Sequence, residues 1–287
     1  MGLLIILRVV LSVSASAIQK RLLLDRAGIN ATWILTYGFM LVPAAMLAAF
    51  RWSDVDARFW RDILIGGGLD AIGNLAMIAA LRGTDLSIFG PLNAIRPIVA
   101  LLFGWFFLAE NPTPMGLLGI AITVLGGVLL FTGSEAGGKH NFRAIWKSLA
   151  LRIIGLSLGV AGAVFLKRAA SVATAEVTVA AWIICGLIVL LAFAVIRDSA
   201  ALKNLSPAVS LHWKWLLVHS GVFLTMQVLT IYIFQKTLLA YSFVFFQLGM
   251  VLQVFVGRFF FQEGAFRRRF VASIIMALGS ILILSKG

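Results

Sequence analysis

Apolar runs of about 20 residues follow one another from end to end of the chain, and that is the length a bilayer's hydrocarbon core requires of a helix. Short charged or Gly/Pro-containing breaks separate them. Ten spans are predicted: Gly2–Gln19, Thr32–Phe50, Ile63–Leu81, Leu86–Ala109, Pro114–Thr132, Ile145–Leu166, Val177–Ile196, Trp213–Phe234, Tyr241–Phe261 and Phe270–Leu284. The longest connections, around Arg51–Asp62, Gly133–Ala144 and Arg197–His212, are each under 20 residues and leave no room for a soluble domain. The pattern predicts an all-α membrane protein of ten transmembrane helices, with its chemistry inside the membrane. Ala15-Ser16-Ala17 has the small residues of a cleavage site, but Arg8 lies within the apolar run rather than ahead of it, so the first helix reads as a retained span.

Composition agrees, with 61% hydrophobic and 12% charged residues among 287. A net charge of +13 raises the question of nucleic acid, yet Lys and Arg are spread thinly over short loops, as membrane proteins place them to set orientation. The dense cluster Arg267-Arg268-Arg269 is best matched by anionic lipid headgroups. A single cysteine, Cys185, leaves no disulfide framework or thiol-rich metal site. His140, His212 and His219 show no ligand spacing and read as interfacial polar residues, so neither metal nor cofactor is expected. Gly66-Gly67-Gly68 lacks the Lys-Ser/Thr of a phosphate loop and reads, like Gly155 and Gly159, as a close helix contact. No nucleophile with a histidine partner supports a membrane acyltransferase or protease, and an enzyme is not expected.

The chain also repeats. A shift of 153 residues aligns Phe106–Leu130 with Phe259–Ile283 without a gap, matching Gly104 to Gly257, Glu110 to Glu263 and Gly126 to Gly279. Shifts of 144 to 147 pair Arg8 with Arg152 and Lys20-Arg21 with Lys167-Arg168. Two five-helix halves follow, residues 1–134 and 145–287, joined by a loop at 135–144. Because five is odd, the second half enters the membrane from the opposite side. Inverted repeats of this kind belong to transporters, whose substrate site lies near the midplane.

Pro97, Leu108 and Glu110 form the pattern P-x(10)-L-x-E, followed by Gly119 and Gly126-Gly127. With the 5+5 duplication, the chain resembles the EamA-type transporters of the drug/metabolite transporter superfamily. The second half departs from the pattern, with Met250 where the proline would stand and a basic turn at Arg267–Arg269. The resemblance implies the ten-helix fold and transport without identifying a substrate. It also implies cytoplasmic termini, whereas the excess of Lys and Arg on the opposite face places both termini outside by the positive-inside rule.

Polar residues inside apolar runs mark the candidate site. Arg96 lies roughly 16 Å into a core about 30 Å thick, where an arginine nearly always faces a bundle interior or a watery cavity. Pro97 removes a backbone donor and kinks the helix, leaving carbonyls that need partners. Asp70 and Asn74 share one helix face at a similar depth. The substrate-binding candidates are Asp70, Asn74, Asn93, Arg96, Gln227 and Gln247. Two readings stay open for Asp70 and Arg96: a pair that only neutralises itself, or groups that meet a solute or proton. Arg8 and Arg152 are predicted to snorkel to the interface. Glu110, ahead of the cap Thr113-Pro114, is predicted to place its charge near that helix's N-terminus. Trp105, Trp182, Trp213 and Trp215 read as belt or packing residues.

The function expected is secondary transport of a small organic solute, an amino acid or related metabolite, by alternating access through a central cavity. A lipid or lipid-linked precursor flippase is the alternative. With no ATP-binding domain visible, transport would be facilitative, an exchange, or coupled to an ion gradient, and Asp70 is the candidate proton carrier. Membrane lipids, the solute and a second copy of the chain as a homodimer are the expected partners, with no nucleic acid, in the plasma (inner) membrane.

Overall fold

A computed structural model describes residues 1–24, 29–49, 55–81, 93–131, 142–261 and 266–286. Its elements are helices: α1 (Gly2–Leu24), α2 (Ile29–Ala49), α3 (Ala57–Leu81), α4 (Arg96–Leu108), α5 (Pro114–Phe131), α6 (Phe142–Ala170), α7 (Ala175–Arg197), α8 (Ser199–Lys203), α9 (Leu205–Lys236), α10 (Leu239–Phe261) and α11 (Phe266–Lys286). Among the described residues, five helices are long and apolar enough to cross a membrane, within α1, α2, α6, α7 and α9. Shorter apolar helices lie at Arg96–Leu108, Pro114–Leu129, Leu239–Leu252 and Phe270–Ser285. Large apolar side chains such as Leu3, Phe106, Ile196 and Leu211 stay exposed, as a chain bathed in lipid permits. The protein is an all-α, multi-pass membrane protein.

Local sequence explains where helices begin and end. Thr113 caps α5, its hydroxyl accepting from Gly116 N at 3.0 Å, and Pro114 opens the helix where no N–H is needed. Thr174 caps α7 in the same way through Val177 N, with Glu176 in the first turn to complement the dipole. α4 stops at Ala109, whose φ of 51° lies in the left-handed region, and the chain turns back as Glu110 N donates to Gly104 O at 3.1 Å. The expected connection Arg197–His212 is largely helical instead. α8 is followed at once by α9, and Pro207 falls in the first turn of α9, the one part of a helix that tolerates it. Asp62, expected in a connection, sits inside α3.

Two compact units divide the chain. One holds Met1–Ile5, Ile72–Val164 and Lys236–Gly287; the other holds Ile6–Ala71 and Phe165–Gln235. In the first, α5 packs along α11 at small residues. A Cβ on Gly119 would stand 2.7 Å from Gly279 O, and one on Gly126 would stand 2.9 Å from Ala272 O, so the backbones touch directly. Gly73 of α3 meets Gly155 O of α6 at 2.8 Å by the same measure, which bears out the expected close contact at Gly155.

The second unit is built on α2 against α7. Trp33, Tyr37, Trp182, His219 and Phe223 make a continuous aromatic cluster, with Trp33 to Phe223 at 5.4 Å and Tyr37 to Trp182 at 5.1 Å between ring centroids. His219 is therefore no interfacial residue: it is 1% exposed in the middle of α9. Thr36 Oγ1 donates to Thr32 O, so at 3.1 Å it accepts from His219 Nδ1. Gly67 receives Cys185 closely, as the glycine triplet predicts, whereas Gly68 meets open space. Trp182 is buried, while Trp105, Trp213 and Trp215 are exposed.

Candidate functional site

Within the first unit, polar side chains gather around a break in the helical path. Asn93 is helical, Ala94 and Ile95 form a turn, and α4 restarts at Arg96 with Pro97 as its second residue. Because Pro97 has no N–H, the carbonyl of Asn93, four residues earlier, loses its usual helical donor. Gln247 of α10 replaces it: Nε2 donates to Asn93 O at 3.4 Å and to Ala94 O at 3.2 Å. An unmet carbonyl in an apolar interior costs about 1–3 kcal/mol, so this amide is what makes the break tolerable.

Gln247 is 6% exposed, and its orientation follows from its partners, since two carbonyls accept only from the NH₂ end. The other end, Oε1, makes no hydrogen bond among the described residues and faces Gly127, where an added Cβ would lie 3.3 Å from it and 2.6 Å from Ala94 Cβ. Gly127 is thus the residue that lets α5 reach the break.

Two arginines frame the same break. Arg152 of α6 donates from Nη2 to Asn93 Oδ1 at 2.9 Å. Arg96 donates from Nη2 to the soft acceptor Met77 Sδ of α3 at 3.5 Å. Met77 in turn lies against α6, with its Cγ 2.6 Å from where a Cβ on Gly155 would fall. Arg152 was expected to snorkel, and that is corrected: its guanidinium is half-buried and bonded within the bundle. Arg8 is corrected likewise, its Nε donating to Thr230 Oγ1 at 3.1 Å in the second unit. Both lie close to a span end by count, yet each donates to an acceptor on another part of the bundle. The repeat, which pairs Arg8 with Arg152, was the signal that they act alike.

The structure brings together Asn93, Arg96 and Gln247, with Pro97 as the cause of the break. Asn74 is half-buried on α3, about one turn before Met77. Asp70 and Gln227 belong to the second unit, both half-buried, and Asp70 lies within electrostatic range of the Tyr37 phenol. Glu110 reaches a second helix: its Oε2 accepts from Leu239 N at 2.7 Å, which sets its charge at the N-terminus of α10. Gly104 leaves the room, since a Cβ there would be 2.7 Å from that oxygen. Glu263 lies outside the described residues, as do the side chains of Arg267–Arg269. Among the described residues no group of His, Cys, Asp and Glu is suited to hold a metal.

Comparison with known proteins agrees with this architecture. Residues 1–132 match the model of the EamA-like transporter family. An uncharacterized transporter in the cobO 3' region of Sinorhizobium sp is 32% identical over 104 residues, which are 35% of this chain and 74% of that protein. An uncharacterized transporter of Synechocystis sp. (strain ATCC 27184 / PCC 6803 / Kazusa) is 26% identical over 108 residues, 37% of this chain and 31% of that protein. A protein crystal structure superposes with a TM-score of 0.67 over 98% of this chain and 94% of its own, at 16% identity, a likeness of fold. The chain belongs to the EamA-like transporter family of the drug/metabolite transporter superfamily, and it is a membrane transporter of a small solute rather than an enzyme.

Proposed function

We propose that the protein is a secondary transporter of an amino acid or related metabolite, working by alternating access and built as two inverted five-helix repeats, 1–134 and 145–287. The observation that carries the reading is the interrupted helix at Asn93–Pro97, held inside an apolar span by Gln247 and framed by two arginines. Backbone is left irregular at that depth where it lines a solute path. Contacts in the first unit favour the repeat. The 153-residue offset carries Gly119 onto Ala272 and Gly126 onto Gly279, so the contacts Gly126–Ala272 and Gly119–Gly279 exchange with each other. The same offset relates Thr123 to Met276, whose carbonyl its hydroxyl meets at 3.5 Å.

Asp70, Asn74, Asn93, Arg96, Gln227 and Gln247 are the solute-binding residues of this reading, with Asp70 a candidate for proton coupling, in a plasma-membrane homodimer. A solute carrying both charges suits a set that contains a carboxylate and a guanidinium. Purified protein in liposomes should take up a radiolabelled amino acid or metabolite saturably and without ATP. Asp70→Asn and Arg96→Gln should each abolish uptake while leaving the protein folded. Flipping of a fluorescent phospholipid with no uptake of any soluble solute would instead establish the flippase alternative.

A further inference from the structure

Within the second unit, α2, α3 and α7 converge on two aromatic rings. On α3, Gly67 lies against α7: an added Cβ would stand 2.9 Å from Cys185 Sγ and 3.7 Å from Trp182 Cδ1. Asp70 follows Gly67 by three residues and therefore shares its face of α3. On α7, Gly186 leaves the room that the Tyr37 phenol of α2 fills, since an added Cβ would collide with Tyr37 Cε1. The Tyr37 and Trp182 rings touch, with 5.1 Å between centroids, and both Asp70 and Cys185 lie within electrostatic range of the phenol. The phenol thus points to the place where the three helices meet.

Polar atoms are left over in these rings, although the rings themselves are buried. Tyr37 is 5% exposed and Trp182 is 4% exposed. A buried phenol or indole normally finds a hydrogen-bond partner, yet among the described residues neither Tyr37 Oη nor Trp182 Nε1 has one. Apolar packing alone would be served better by phenylalanine at both positions. Asp70 is half-buried in an apolar helix, and a carboxylate so placed faces water rather than lipid, so the junction opens onto an aqueous space beside it. We propose that Tyr37, Trp182 and Asp70 form a subsite for the ammonium group of the transported solute. The carboxylate supplies the opposite charge, the Tyr37 oxygen accepts an N–H, and the indole and phenol rings attract a cation through their π-systems. The Trp182 N–H is left for an acceptor atom of the same solute. Trp33, edge-on to Tyr37 at 6.2 Å, and His219, bonded to the neighbouring Thr36, brace α2 in this orientation. The inference rests on the transporter reading, and it adds Tyr37 and Trp182 to the residues that meet the solute.

The test uses the purified full-length protein in detergent, with sodium chloride replaced at constant ionic strength by methylammonium chloride and, as a reference, by potassium chloride. The melting temperature of the wild type should rise saturably with methylammonium and not with potassium, because a ligand of the folded form stabilises it. Asp70→Asn should raise the half-saturating concentration by roughly tenfold or more, the loss expected for a charged partner. Tyr37→Phe keeps the ring and removes only the oxygen, and should raise it by roughly threefold or more. Trp105→Phe, at an exposed ring on α4, should leave it unchanged. If Asp70→Asn does not fold, Tyr37→Phe carries the test. A methylammonium shift no larger than that with potassium, the result expected of rings solvated by water alone, overturns the subsite. An equal shift in the wild type and both variants overturns it too. Solute uptake without a methylammonium shift sinks the subsite alone, whereas a methylammonium shift without uptake of any solute sinks the transport reading instead.

Discussion

Two contacts in the second unit occupy related places in the sequence repeat and use different physics. At the end of α6, Arg168 Nε lies 3.2 Å from Asp62 Oδ2 of α3, and Arg61 adds a contact to Oδ1 at 3.1 Å. Late in α1, Arg21 lies over the Trp215 ring of α9 at 4.3 Å from its centroid. A sequence offset of 147 residues carries Arg21 onto Arg168 and one of 153 carries Asp62 onto Trp215, so the two contacts exchange with each other. In one case it finds a carboxylate that is 6% exposed, in the other an aromatic ring that is 38% exposed. The partner differs between the two contacts, and its burial decides how much each contact is worth.

The largest effect should come from removing the cation above the buried carboxylate. Stranding one member of a buried pair costs about 3–5 kcal/mol, and because Arg168 is 39% exposed and Arg61 remains, Arg168→Gln should cost roughly 2 kcal/mol. Asp62→Asn in the same background should recover part of that loss, since the stranded charge is gone. Thermal unfolding of the four combinations of these two substitutions measures the coupling, and additive losses would show that the ion pair contributes nothing of its own.

On the aromatic side the expected loss is smaller. Arg21→Gln removes an exposed cation–π contact, for which about 0.5–1 kcal/mol is typical. A loss equal to that of Arg168→Gln would break the comparison, because it would mean that burial of the partner is irrelevant.

These contrasts bear on what the sequence could say. Apolar run length located the helices, and the starts at Gly2 and Pro114 coincide with those expected. It did not say where helices end, because a helix continues past hydrocarbon into polar sequence whenever its backbone bonds are met; α9 begins at Leu205 rather than Trp213 for that reason. Asn93, Arg96 and Gln247 were legible, since polar atoms inside apolar runs are too costly to be incidental. The partners of Arg152, His219 and Glu110 were not. Each depends on which helices cross and at what height, as with Glu110, whose Oε2 accepts from a backbone N–H 129 residues away. The repeat held part of that information, in the pairing of Arg8 with Arg152 and of Arg21 with Arg168.

The smallest effect sharpens the comparison most. Trp215→Asp offers Arg21 a carboxylate in place of a ring and so imitates the chemistry of Arg168–Asp62 without its burial. An exposed ion pair gains about 0.2–1 kcal/mol, which is close to what the lost cation–π contact gave up. Compared with Trp215→Ala, which loses the same ring packing, Trp215→Asp should therefore gain only about 0.2–1 kcal/mol, and high salt should weaken the new pair because its charges are screened. A gain of about 2 kcal/mol, retained in high salt, would show that carboxylate chemistry rather than the burial of Asp62 distinguishes the two contacts.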